Sequence, residues 1–321
     1  MSPPVPVAVR RAWPHLRLLA GFLVLLAVVW RFGTGPFAAA WHGMTWSAVA
    51  AALAINVGCT LSSAWRWRVV ARSLGVPLTV AESVTSYYRS QLLNSALPGG
   101  ILGDAHRGVR HGRGAGDLGV GLRATAWERV TGQVVQVGLL VVALAFLGTA
   151  LTPLTPLALL VVGVLAAGAW MLARLRIRAV AWAGADVRAL LRPPVGARIT
   201  LASLGSCAGH LAVFLIAAEG VGVEATSTLL VTTALVVLVG SAMPLNVAGW
   251  GLREAVAASA FGYAGLGAAT GVAVSIQYGV LGTVATAPGL LVVLADALGC
   301  RSRAGSVAVT PARPLEEPRR G

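Results

Sequence analysis

The chain has 321 residues, 57% of them hydrophobic and only 11% charged, too little charge to clothe a soluble surface. Its net charge of +14 comes from arginine alone, for there is no lysine, and the arginines flank apolar runs as topology signals rather than forming a nucleic-acid footprint. No stretch between the apolar segments leaves room for a soluble catalytic domain, so a polytopic membrane protein is expected.

A membrane span needs about 20 apolar residues, and the pattern predicts spans at 15–32, 45–66, 118–148, 152–174, 198–218 and 268–298. The first resembles a signal peptide, with Arg10 and Arg11 ahead of it and a small-residue site at Ala38–Ala40. The membranous remainder favours an uncleaved anchor. Two further apolar segments, 82–97 and 226–243, end in proline and glycine and are each followed by a short returning arm, at 104–114 and 251–263. Each is read as a re-entrant hairpin, against the alternative of two short spans. Irregular backbone at membrane depth must be surrounded by protein or a wet cavity. Between 175 and 192 apolar residues alternate with arginines, as in an interfacial helix on anionic lipid. Residues 1–300 form one membrane domain on this basis, and 301–321 a disordered, Pro- and Arg-rich cytoplasmic tail.

Arginine placement orients the spans. Arg66, Arg68 and Arg72, the cluster Arg107 to Arg123, the run Arg174 to Arg198 and the tail all fall on one side, with Arg31 alone on the other. The expected arrangement is all-α, with about six transmembrane helices, two re-entrant helical hairpins and both termini in the cytoplasm. The hairpins also share a pattern. Ser95-Ala-Leu-Pro98 leads to Gly103, Asp104 and Arg107, and Ser241-Ala-Met-Pro244 leads to Gly249, Gly251, Arg253 and Glu254. An odd number of spans lies between them, as in an inverted repeat with its binding site at the repeat interface.

Proline ends each entering arm and glycine permits the reversal, so each returning arm begins a helix whose amide end points into the protein. Such an end attracts anions, and Arg107 and Arg253 beside it would make a centre suited to phosphate. Asp104 and Glu254 then orient the arginines; alternatively these are structural ion pairs holding the hairpins shut. On the third span Thr125, Glu128, Arg129, Gly132, Gln133 and Gln136 share one polar face, read as a cavity wall. Glu128 is the expected proton carrier, should lipid movement be proton-coupled. Cys59, Cys207 and Cys300 are read as packing residues, Gly205 and Gly209 as a tight helix contact and His210 as a packed or hydrogen-bonded histidine. Gly114, Gly116 and Gly119 follow no strand and form a flexible loop, and His106 with His111 makes no convincing metal site. No cofactor, metal or catalytic nucleophile is expected, hence no enzyme.

Three motifs in order, N-x-x-L-P-G-G-x-x-G-D-x-x-R from Asn94 to Arg107, Glu128-Arg129, and P-x-x-x-x-G-x-G-x-R-E from Pro244 to Glu254, resemble the transmembrane region of lysylphosphatidylglycerol synthases, the flippase-like domain family. Trp250 departs from the small residue familiar at its place. The resemblance implies a bacterial or archaeal inner-membrane protein that moves a lipid or lipid-linked headgroup between leaflets. It implies a headgroup site drawn from Asn94, Pro98, Gly99, Gly100, Gly103, Asp104, Arg107, Glu128, Arg129, Gln133, Pro244, Gly249, Gly251, Arg253 and Glu254. The soluble aminoacyl-transferase domain of the full synthases has no counterpart here, so synthase activity is not expected. Anionic phospholipids or polyprenyl phosphates are the expected partners. The alternative is an accessory protein that presents such a lipid to a separate lipid-modifying or glycosyl transferase.

Overall fold

The computed structural model describes residues 26, 30–96, 101–147, 163, 180–241 and 252–305. Eleven helices and no strands occur among them: α1 (Gly35–His42), α2 (Trp46–Ser73), α3 (Val80–Ala96), α4 (Leu102–Gly114), α5 (Leu118–Leu147), α6 (Val180–Leu190), α7 (Pro193–Val221), α8 (Ser227–Ser241), α9 (Leu252–Tyr263), α10 (Ala268–Val284) and α11 (Pro288–Gly305). Four stretches are long and apolar enough to cross a membrane: α2, most of α5, α7, and α10 continued into α11. The span at 152–174 and most of that at 15–32 lie outside the described residues. So do Trp182's side chain, residues 306–321 and both hairpin tips, with Pro98, Gly99, Gly100, Pro244, Gly249, Trp250 and Gly251.

Local chemistry sets the helix ends. The Thr45 hydroxyl accepts the Ala48 amide at 3.2 Å and starts α2. Thr79 and Glu82 form a reciprocal capping box on α3: the Glu82 carboxylate accepts the Thr79 amide at 2.9 Å, and the Glu82 amide donates to the Thr79 hydroxyl at 3.2 Å. The Thr79 amide and the Thr79 hydroxyl, which also donates to the carboxylate at 2.7 Å, hold the Glu82 carboxyl below the usual carboxylate range. Pro193 and Pro194 open α7, and Gly222, left-handed at φ +80°, closes it. Pro288 lacks the amide that would continue α10, so a turn at 285–287 separates α10 from α11.

Packing runs in two matched series. Helix α2 packs on α3, α3 on α4 and α4 on α5; likewise α7 packs on α8, α8 on α9 and α9 on α10. The most extensive contact joins α2 to α7, where Gly209 leaves room for the Cys59 thiol and Gly205 for the Ser62 hydroxyl. This is the close approach expected of small residues. Helix α4 approaches α5 closely at Gly121, which lies against the Gly108 carbonyl and Gly112; α9 approaches α10 at Gly271, against the Ala257 carbonyl and Phe261. At 1.5 Å per residue α3, α4, α8 and α9 measure about 18–26 Å, short of a bilayer core of about 30 Å. Every residue from Thr232 to Gly240 of α8 is buried, as befits a helix apolar all round. On α3, by contrast, only Ser83, Arg89 and Ser90 are buried.

Three expectations are corrected. The helix predicted to end at residue 66 continues to Ser73, because no breaker occurs between Gly58 and Gly75. Arg66 is therefore a buried helical residue and not part of an inner loop. The connection after the first span contains α1, whose Ala40 packs against Val272 and Ile276 of α10. The span read as continuous over 268–298 is broken ahead of Pro288.

Candidate functional site

Asp104, in the first turn of α4, gathers four donors. One oxygen accepts from the Ser90 hydroxyl at 2.9 Å and Arg107 at 3.0 Å; the other accepts from the Asn94 amide at 2.9 Å and from Arg129. The Asn94 carbonyl in turn accepts the Gly103 amide at 2.8 Å. Gly103 lies against the Ser90 carbonyl, where a side chain would not fit. These bonds tie α3 to α4 and fix the start of the returning arm.

Arg107 lies deeper. Its guanidinium carbon stands 4.4 Å from the centre of the Trp67 ring and 4.3 Å from that of Tyr87, so the cation is held by two aromatic faces. One nitrogen bridges Asp104 and Glu128, at 3.0 Å to each, while Nε and Nη1 have no hydrogen-bond acceptor. Glu128 is 0% exposed and takes Arg66 Nε at 3.0 Å, Arg66 Nη2 at 2.5 Å and the Tyr87 hydroxyl at 3.2 Å. Arg66 also donates to Ser203 at 3.2 Å, and Gly132, one turn beyond Glu128, makes room for its guanidinium. Three guanidiniums, of Arg66, Arg107 and Arg129, thus meet two carboxylates, of Asp104 and Glu128, leaving one net positive charge. Arg129 is the open member, its side chain 45% exposed.

The second arm builds its own cluster. Arg253 Nη2 donates to Glu254 at 2.7 Å, Arg253 Nε reaches Ser275 at 3.0 Å, and the Ser275 hydroxyl donates to Glu254 at 3.2 Å. Gly279 of α10 accommodates the Arg253 guanidinium as Gly132 of α5 accommodates that of Arg66. Tyr278 lies 5.7 Å below Arg253, and its hydroxyl meets His210 Nδ1 at 3.3 Å. Helix α7 joins the clusters, since Ser203 touches the first and His210 the second, two turns or about 10 Å apart along the axis.

Residues 16–289 match the family described as the lysylphosphatidylglycerol synthase TM region. The chain belongs to this family. No curated protein and no solved structure matches it. Of the residues expected to form the headgroup site of this family member, Asn94, Gly103, Asp104, Arg107, Glu128 and Arg129 are brought together in the first cluster. Arg253 and Glu254 lie in the second. Among the described residues Arg107 pairs with Asp104 and Glu128, and Arg253 with Glu254 and Ser275. Gln133, on the same face, has a buried carbonyl oxygen without a hydrogen-bond partner. The tip residues Pro98, Gly99, Gly100, Pro244, Gly249 and Gly251 lie outside the described residues. Glu128 is the shared counterion of two arginines, which is the geometry of a clamp and speaks against its expected role as a proton carrier.

Sequence reasoning missed Arg66, Trp67 and Tyr87, although they complete the first cluster. The available signal was the unbroken helical run past residue 66, which puts Arg66 and Trp67 inside the bundle rather than in a loop. Tyr87 had no such signal, because its role depends on how α3 meets α5.

Proposed function

We propose that this membrane protein binds a phosphate-bearing lipid headgroup between two re-entrant hairpins and carries it from one leaflet to the other. The observation that supports this most is the first cluster: five ionised side chains gathered between α2, α4 and α5, with a net positive charge and one arginine half exposed. An ionised group at membrane depth costs about 2.5–3.5 kcal/mol on the insertion scale, so such a concentration is retained for use. Arg129 offers an incoming phosphate a bidentate partner, and Asp104 is the internal carboxylate that the phosphate would displace.

The two hairpins are α3 with α4 and α8 with α9, related as an inverted repeat that also pairs α2 with α7 and α5 with α10. Support comes from the matched contact series, from the paired glycines Gly121 and Gly271, and from helices too short to span. Six spans with both termini in the cytoplasm complete the arrangement, following the arginine bias. The chain works without chemistry of its own, in keeping with a bacterial or archaeal inner-membrane flippase.

A second function draws support from Arg107. Its enclosure by two rings and two carboxylates favours a static lipid-binding role, in which the protein presents the lipid to a separate transferase. Proteoliposomes holding a fluorescent anionic lipid, with quencher added outside, separate the two. Translocation predicts a protein-dependent loss of the protected fraction that is slowed in Arg129→Ala. Lipid binding without any such loss would replace translocation with presentation.

A further inference from the structure

A half-open cavity of about 650 Å³ lies beside the first cluster, whose Trp67 forms part of its wall, and is lined further by α3, α4, the loop before α3 and the first half of α11. One wall is cationic. Arg89 of α3, a buried arginine, donates to Asp296 of α11, and Arg110 of α4 approaches the same carboxylate at 3.6 Å. Leu78, with Leu291 and Val292 of α11, adds an apolar part to the lining. Glu82 also lines the cavity, so its two arginines stand with two carboxylates, Asp296 facing both arginines and Glu82 held by Thr79.

We propose that this cavity is a second anion site, taking the phosphate group of a lipid headgroup, with Arg89 and Arg110 as its ligands and Asp296 as the internal anion that holds them when the site is empty. The inference rests on the lipid-handling function above and adds a waiting position beside the first cluster, with its own arginines, Arg89 and Arg110. Three features carry it. The volume lies within the range of about 300–1,000 Å³ typical of small-molecule sites. Arginine pairs with carboxylate and phosphate through the same planar fork, so phosphate is a direct competitor for Asp296. The cavity is amphipathic, and Leu291, 69% exposed at its edge, continues into an exposed apolar face with Leu290, Leu294 and Leu298. A lipid can then keep its chains along α11 while its phosphate reaches Arg89.

Helix α11 is built to permit exchange. It is fastened to α3 at Gly289, which lies against the Tyr88 carbonyl and Leu92, and again at Asp296. The cavity opens between these fastenings. Releasing Asp296 frees the far end of α11, which follows the turn at 285–287.

The test uses the full chain in maltoside micelles, which contain no phosphate. The reporter is an environment-sensitive dye on Leu291→Cys, in a Cys300→Ser background. Short-chain phosphatidylglycerol, glycerol phosphate, inorganic phosphate and a short-chain diacylglycerol are titrated in turn. A saturable response to the phospholipid, absent with diacylglycerol and weak with the two soluble phosphates, is expected. Equal responses to all three phosphate compounds would keep the anion site and assign it to soluble phosphate. Losing a charged hydrogen bond should weaken binding about tenfold or more in Arg89→Gln and Arg110→Gln. Asp296→Asn, which removes the competitor, should tighten it several-fold. Arg110 is 57% exposed, so its variant will fold. A response equal for diacylglycerol, indifference to both arginine variants, or unchanged or weaker binding in Asp296→Asn would each overturn the site. A dye response without leaflet movement would sink translocation and leave this site standing; movement without an Arg89-dependent response would do the reverse.

Discussion

Glu128 has no access to solvent and three donors, two of them guanidiniums, so its charge is balanced only while both arginines remain in place. Removing one partner from such a buried group leaves the others uncompensated, typically at about 3–5 kcal/mol. Glu128→Gln is therefore expected to lower the unfolding midpoint of the detergent-purified protein strongly, and Gly132→Ala to do so too by pushing Arg66 away from Glu128. Arg129→Ala removes a half-exposed pair and should cost at most about 1 kcal/mol. Equal destabilisation by Glu128→Gln and Arg129→Ala, measured as thermal aggregation midpoints, would contradict the division into a buried clamp and an open arginine.

At the scale of helices, α4 and α9 are positioned by close backbone contact with α5 and α10 as well as by side-chain bonds. A methyl group on Gly121 would run into the Gly108 carbonyl and Gly112, and one on Gly271 into the Ala257 carbonyl and Phe261. Neither neighbour can yield like a flexible side chain. Each alanine variant should lose about 1–3 kcal/mol by overpacking. If the α4–α5 and α9–α10 contacts are equivalent parts of a repeat, the two losses should be similar. Gly138→Ala on α5, with nothing near its Cβ position, serves as the control and should leave the midpoint unchanged. A loss at Gly121 alone would argue against matched roles for the two arms.

For the whole molecule, the orientation proposed from the arginine bias has the α4–α5 turn and α6 on one side of the membrane, and the α7–α8 and α9–α10 turns on the other. Arg113→Cys and Gly184→Cys should resist an impermeant reagent added to intact cells, whereas Glu224→Cys and Tyr263→Cys should react. All four positions are exposed. Labelling of Arg113→Cys from outside would invert the first hairpin. Energetically, an anionic lipid moving outward gains up to about 2.3 kcal/mol per 100 mV from an inside-negative potential. With Glu128 committed to two arginines, lipid movement should respond to an imposed potential and not to a pH gradient. Stimulation by the pH gradient alone, measured in the same proteoliposomes, would return the proton-carrier role to Glu128.

The four short helices flanking the two proline- and glycine-containing segments were legible in the sequence to within about two residues, because proline and glycine end a helical run. The motifs likewise marked Asp104, Arg107, Glu128 and Arg129 among the candidate site residues, since ionised residues in an apolar chain stand out against their surroundings. What the sequence could not reveal was who neutralises whom. In the sequence Arg66 reads as a topology signal, and Arg107 as sharing a centre with Arg253. On a helix, adjacent residues point about 100° apart, so Glu128 turns inward to Arg66 and Arg107 while Arg129 reaches Asp104 on α4. Sequence alone thus determined the elements and their charged residues. Pairing was decided by the packing of α2, α4, α5 and α11, because buried charges take whichever partner the tertiary contacts bring within reach.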